Sequence, residues 1–298
     1  MGLYRLADQL AATFPDLPAI SPLIVLGEGF GNLVVETSGG VVFRIAKRAA
    51  AQRGHWREER VLLVVRQHVR GLAVPQVRYA LRASSAFPYG ALGYDKLPGR
   101  AFAPTDIDGE NQSQLARQAA AFLVELHGID VGALRDANLP AFPPTPTRLI
   151  ELWHNVSAFL RQHLDRSEFR AVRAWLEDLL DYGQRYPYTP TLVHGDFWHE
   201  NLLFDEGRRR LVGVIDFENA AIGDAAIDLA TLRYLGDGFT RAVSETYYQT
   251  RVPRDLGERS RTLVGVRELL SLELGLATKN VDADALRKMR EVILSDAH

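Results

Sequence analysis

Cysteine is missing altogether from this 298-residue chain, which excludes disulfide staples, thiolate zinc centres and a cysteine nucleophile. Charge of one sign is missing too: 35 lysines and arginines face 37 acids, for a formal net charge of -2 and a pI near 6.5. Such a balance gathers neither nucleic acid nor anionic lipid, so neither is expected as a partner, and a bound phosphate would need particular donors to hold it. No apolar run reaches the roughly 18 uncharged residues of a membrane span. Asp8 also interrupts the early apolar residues before a secretory leader can be read, and a soluble cytoplasmic protein is the expectation. What is plentiful is apolar material, 47% of residues against 24% charged, enough for one large core or two lobes and too much for a disordered chain.

No internal repeat or low-complexity tract sets the architecture, so it must come from hydrophobic period and turn residues. Leu23 to Leu26 and Leu33 to Thr37 flank a glycine-rich turn, Gly39-Gly40 makes another, and Val41 to Ala46 reads as a third strand. Val61, Leu62, Val65 and Val69 recur at helical steps and predict a helix over about Arg53 to Gln67, ended by Gly71. A strand-like run from Ala91 to Leu97 closes at Pro98-Gly99. Helical stripes then follow over Gln114 to Leu126, Leu149 to Leu160, Phe169 to Leu180, Arg261 to Ala277 and Asp284 to Ile293. The expectation is an α+β protein with a small β-rich N-terminal lobe, residues 1–96, and a larger mainly helical C-terminal lobe, residues 97–298.

One stretch carries chemistry: His194-Gly195-Asp196, an amide at Asn201, and Val214-Ile215-Asp216-Phe217-Glu218 at the end of the next apolar run. An acid, an amide and a second acid suit phosphoryl transfer, which needs hard-oxygen Mg²⁺ ligands and a group to orient an attacking hydroxyl. Asp196 is then the catalytic residue that holds or deprotonates the acceptor hydroxyl, with Asn201 and Asp216 on the metal. A zinc reading of His194, Asp196 and His199 is possible by residue type, but it leaves Asn201 and Asp216 without a task.

These residues resemble the aminoglycoside phosphotransferases and their relatives. The family pattern H-G-D-x-x-x-x-N is met by His194, Gly195, Asp196 and Asn201, and I-D-F/W-E by Ile215, Asp216, Phe217 and Glu218. Asp224 and Asp228-Leu229-Ala230 look like the stretch that follows, although a buried acid held by backbone donors is the preferred reading of Asp228. The resemblance implies a two-lobed protein-kinase-like fold, ATP or GTP and Mg²⁺ as cofactors, and a supporting role for His194 near Asp216. A protein kinase proper fits less well, because Glu218 stands where glycine would follow Asp216-Phe217.

In the first lobe, Gly27 and Gly29 lie in a turn whose backbone can approach phosphates, and Asn32 stands where the protein-kinase pattern has a third glycine. Arg44 occupies the place of the kinase lysine. It shares a strand face with Val42, whereas Lys47, the reserve candidate, lies on the opposite face. Its expected partner is Glu58, one helical turn before Leu62, with Glu59 as the alternative. The resemblance places the nucleotide base against backbone groups near Asp95 and Leu97. A cationic aminoglycoside would need carboxylates, for which Glu200, Glu218, Glu268 and Glu273 are nominated. The Gly27 to Asn32 loop and the Phe87 to Lys96 segment favour an antibiotic kinase. A metabolic kinase for a choline-, homoserine- or sugar-like alcohol and a non-catalytic nucleotide-binding module are the alternatives.

Overall fold

Side-chain alternation along short segments builds the first lobe around a sheet. The computed structural model describes residues 2–29, 31–249, 252–279, 281 and 285–294. Helix α1 (Leu3–Thr13) precedes strands β1 (Ile24–Glu28), β2 (Asn32–Glu36) and β3 (Val41–Ala46), each antiparallel to the next. Helix α2 (Ala49–His68) follows, then β4 (Val77–Leu81) and β5 (Ala91–Asp95), and the five strands lie in the order β1-β2-β3-β5-β4. Val35, Val41, Phe43 and Ile45 pack on one face of the sheet against Leu6 and Leu10 of α1. The other face of β3, with Val42 and Arg44, is buried as well, so this strand is covered on both sides.

Helix α2 starts earlier than its apolar stripe predicts, because Ala49, Ala50 and Ala51 are strong helix formers that extend it. Its stripe of Val61, Leu62, Val65 and Val69 joins the large core beside Phe102, Leu115 and Leu123, and so packs on the second lobe. Helix α1 escapes the sequence expectations: its buried residues, Leu6, Ala7 and Leu10, span little more than one turn.

After β5 the chain runs through β6 (Arg100–Ala101), α3 (Gln112–His127) and β7 (Ala141–Phe142). Helices α4 (Pro146–His163), α5 (Arg166–Leu179) and α6 (Tyr182–Arg185) come next. Thr145 caps α4 with Pro146 in its first turn, and Asp165 with Glu168 forms a capping box on α5. Strands β8 (Thr191–Val193), β9 (Leu202–Asp205), β10 (Arg210–Val214) and β11 (Ala221–Gly223) then carry the loops of the site. The chain continues in α7 (Ala226–Ala230), α8 (Asp237–Tyr248), α9 (Leu256–Ala277) and α10 (Ala285–Met289), with a π-helical turn over Arg290–Leu294. Asp284, the expected start of the last helix, lies outside the described residues. Among the described residues no helix is long and apolar enough to cross a membrane.

A buried ion pair locks α9 to the region after β11. Asp224 is fully buried and accepts from Tyr182 Oη at 2.7 Å, from Ala226 N at 2.9 Å and from the Arg259 guanidinium, with Nε at 3.1 Å. Removing one member leaves an uncompensated charge in the core. Asp224→Ala is expected to destabilise the protein by about 3–5 kcal/mol, read as a lower denaturant midpoint at unchanged m-value.

Candidate active site

The loop after β8 is held so that one carboxylate is left at its tip. Asp228, fully buried on α7, accepts from His194 N at 2.7 Å and Gly195 N at 2.8 Å, and its Oδ2 lies 3.0 Å from His127 Nε2. This is the backbone-held acid expected of Asp228. Gly195 has φ +76°, and a Cβ there would sit 2.3 Å from Asn219 O, so both its conformation and its surroundings demand glycine. Gly195→Ala is therefore expected to cost about 1–3 kcal/mol of stability, read by thermal unfolding.

Asp196 follows directly. Its Oδ1 is ion-paired with Arg267 of α9, while Asn201 Nδ2 donates to its backbone oxygen at 2.9 Å and to Oδ2 at 3.2 Å. Burial raises the Asp196 carboxyl above the usual aspartate range, and the charge of Arg267 pulls it back.

Asp216 comes from a different loop; two contacts join the loops and a third, inside the first, orients His194. Ile215 N donates to Asn201 O at 2.9 Å, His194 Nε2 lies 3.1 Å from Ile215 O, and Asp196 N donates to His194 Nδ1 at 3.3 Å. His194 thus couples the loops, with the Phe217 ring centroid 4.5 Å from its own. Asp216 adopts a left-handed conformation, φ 66°, uncommon for a side-chain-bearing residue. Although burial opposes it, the positive charge of Arg44 holds the Asp216 carboxyl below its ordinary value.

Arg44 is the hub. It donates to both Glu58 oxygens at 2.8 Å and to Asp216 Oδ1 at 2.9 Å, and it is ion-paired with Glu218. Glu58, and not Glu59, is its helical partner. Burial pushes the Glu58 carboxyl up to about 7 against the pull of Arg44. Lys47 is on the surface, paired with Glu28 at 2.9 Å. Gly54 lets α2 approach, since a Cβ there would lie 3.0 Å from Glu218. Asn32 donates to Glu218 at 3.0 Å, and its Oδ1 lies 2.8 Å from His55 Nε2. Burial and then Arg44 push His55 down to about 4, so the neutral ring donates to that oxygen.

Above this hub sits the glycine turn. A Cβ at Gly27 would meet nothing within 4 Å, and at Gly29 only Asn32 O at 4.0 Å, so packing within the protein does not demand glycine at either position. Phe30 lies outside the described residues. Asp95 ends β5 with its carboxylate on Arg78 at 2.9 Å, and half-buried Leu97 follows.

Beside Asp196 opens a cavity of about 580 Å³, lined by Arg57, Phe142, Arg148, Glu218, Arg267 and Leu274 among others. Of the nominated acids only Glu218 lines it. Glu200 is exposed, Glu268 is buried in α9, and Glu273 is bound by Arg148 at 2.9 Å and Asn155 at 2.7 Å. The arginines of the cavity were absent from the sequence expectations. Arg267, Leu270, Ser271 and Leu274 recur at helical steps, and this is the signal that marks one face of α9. Among the described residues no three histidine or acidic side chains are grouped to hold a metal ion, so His194, Asp196 and His199 form no zinc site.

A model of the phosphotransferase enzyme family matches residues 23–261. The chain belongs to that family. Among solved structures, this phosphotransferase-family chain is similar to the GDP and kanamycin complex of APH(2")-IIIa, with 25% identity, TM-score 0.83 and 98% of each chain covered. A macrolide 2'-phosphotransferase from Brachybacterium faecium shares the fold at TM-score 0.70 and 20% identity, over 97% of this chain and 98% of that one. An aminoglycoside 3'-phosphotransferase of Salmonella typhimurium is 29% identical over 159 residues, 51% of this chain. A probable acyl-CoA dehydrogenase of Arabidopsis thaliana is 26% identical over 251 residues, 77% of this chain. The chain spans 55% of the first of these relatives' length and 30% of the second's. The kinase-like two-lobed fold expected from the motifs is the observed one.

Proposed function

We propose that the protein transfers the terminal phosphoryl group of ATP or GTP to a hydroxyl of a small molecule. The observation that carries this reading is the linkage of Asp196, Asn201 and Asp216 through His194 and Ile215, with Arg44 donating to Asp216. Asp196 accepts the proton of the acceptor hydroxyl as the new O–P bond forms and the bond to the nucleoside diphosphate breaks. Arg44, oriented by Glu58, supplies fixed positive charge to the phosphates, and Gly27 and Gly29 allow close backbone approach. Asn32 braces Glu218 beside them.

The donor set fits Mg²⁺. Asn201 commits its Nδ2 to Asp196, which leaves Oδ1 for a ligand, while the Asp216 carboxylate bonds Arg44 through Oδ1, accepts from the Glu218 backbone and retains lone pairs for a ligand. One amide and one carboxylate oxygen are what Mg²⁺ takes from a protein when phosphates and water complete its shell. Bound there, the ion would neutralise charge developing on the transferred group. The lobe boundary is placed after Lys96, between β5 and β6, with the nucleotide base against backbone near Asp95 and Leu97.

Kinship with a kanamycin-bound structure supports an aminoglycoside-type antibiotic as acceptor, and with it antibiotic resistance as a cellular role. The test is a panel of aminoglycosides, macrolides and small metabolic alcohols with ATP and GTP, monitored by nucleotide consumption and by mass of the product. A phosphate ester is the expected result; nucleotide binding without transfer to any alcohol would favour a non-catalytic module. The arginines that line the cavity favour a second, anion-bearing acceptor class.

A further inference from the structure

We infer that the acceptor cavity contains an anion subsite at Arg57, so that the alcohol it takes carries a carboxylate or phosphate group. The inference rests on the phosphotransfer reading and narrows its acceptor. Three arginines, Arg57, Arg148 and Arg267, line the cavity, and Glu218 is the one acid among its lining residues. Three acids at the cavity already have a cation: Glu218 is on Arg44, Glu273 on Arg148 and Asp196 on Arg267. Among the lining residues a polycationic acceptor would meet three guanidinium groups and no unpaired carboxylate.

Arg57 differs from the other two. Among the described residues it makes no hydrogen bond or ion pair, and its Nε is buried without a partner. Its charge acts only through space: burial raises the Glu218 carboxyl above its ordinary range, and Arg57 is a minor opposing pull beside Arg44. Arg57 is half-buried, but a buried N–H left unpaired is costly, and a planar guanidinium offers two parallel donors to a carboxylate or phosphate. Pro140, Phe142, Leu270 and Leu274 supply apolar wall for the body of such a molecule. Arg57 also adjoins Glu58, the orienting partner of Arg44, so α2 presents one residue to the phosphate side and the next to the acceptor cavity.

The experiment compares hydroxycarboxylates of three to six carbons with their carboxamides and with kanamycin, on the full chain, by steady-state kinetics and product mass. The wild type is expected to favour carboxylates over matched amides by about 10- to 100-fold in kcat/KM, the worth of one charge-assisted contact. Arg57→Gln should bring that ratio near one through KM, Arg57→Lys should restore part of it, and added salt should raise KM for the carboxylates alone. An equal melting temperature shows that the variants are folded. Preference of the wild type for kanamycin or the amides, or an equal slowing of all acceptors in Arg57→Gln, overturns the subsite while leaving phosphotransfer intact. Nucleotide binding with transfer to no alcohol overturns both.

Discussion

Asp196→Asn is expected to lower kcat by about 100- to 10,000-fold while leaving nucleotide affinity intact. The substitution keeps the shape of the side chain and its place on a loop pinned by Asp228, so the fold has little reason to change. What it removes is the negative oxygen proposed to receive the hydroxyl proton, together with the ion pair to Arg267. Nothing in the Arg44 cradle is touched. Turnover measured against a nucleotide titration separates the two: a drop in kcat at constant nucleotide Kd supports the role, and near-wild-type turnover rejects it.

Asp216→Ala should act on both quantities. Its carboxylate is the proposed metal ligand and also balances Arg44, so truncation weakens Mg²⁺-nucleotide binding and lowers kcat/KM by on the order of 1,000-fold. Calorimetric titration of nucleotide with and without Mg²⁺ is the check. In the wild type the metal should tighten binding, and in the variant that gain should vanish; an unchanged metal dependence counts against the assignment. Arg44 retains Glu58 and Glu218 in the variant, so the lobes should stay joined at this hub.

The parts of the site that were legible in sequence are those in which spacing alone carries the geometry. Asp196 and Asn201 share one tight loop, Asp216 ends the next hairpin, and two-residue alternation along β3 sends Arg44 to the side of Val42. The choice of Glu58 over Glu59 follows from the helical step to buried Leu62 in the same way. What was illegible depends on how distant elements are rotated against each other. Arg267 reaches Asp196 across 71 positions, and Arg148 reaches Glu273 across 125. The sequence shows that α9 carries Arg267, Glu268 and Glu273; only packing against the large core decides that Arg267 faces the cavity, Glu268 turns inward and Glu273 is drawn to Arg148. Residue type alone points to acids for a cationic acceptor, while the cavity beside Asp196 is lined by Arg57, Arg148 and Arg267 with Glu218.

The most direct measurement is a crystal structure of the chain with Mg²⁺ and a non-hydrolysable ATP or GTP analogue. If Asn201 and Asp216 hold the ion, it is expected on one oxygen of each at about the 2.1 Å usual for Mg²⁺, with the triphosphate against Arg44 and its terminal phosphate near Asp196. A metal held elsewhere, or a triphosphate bound away from Arg44 and Asp196, would contradict it.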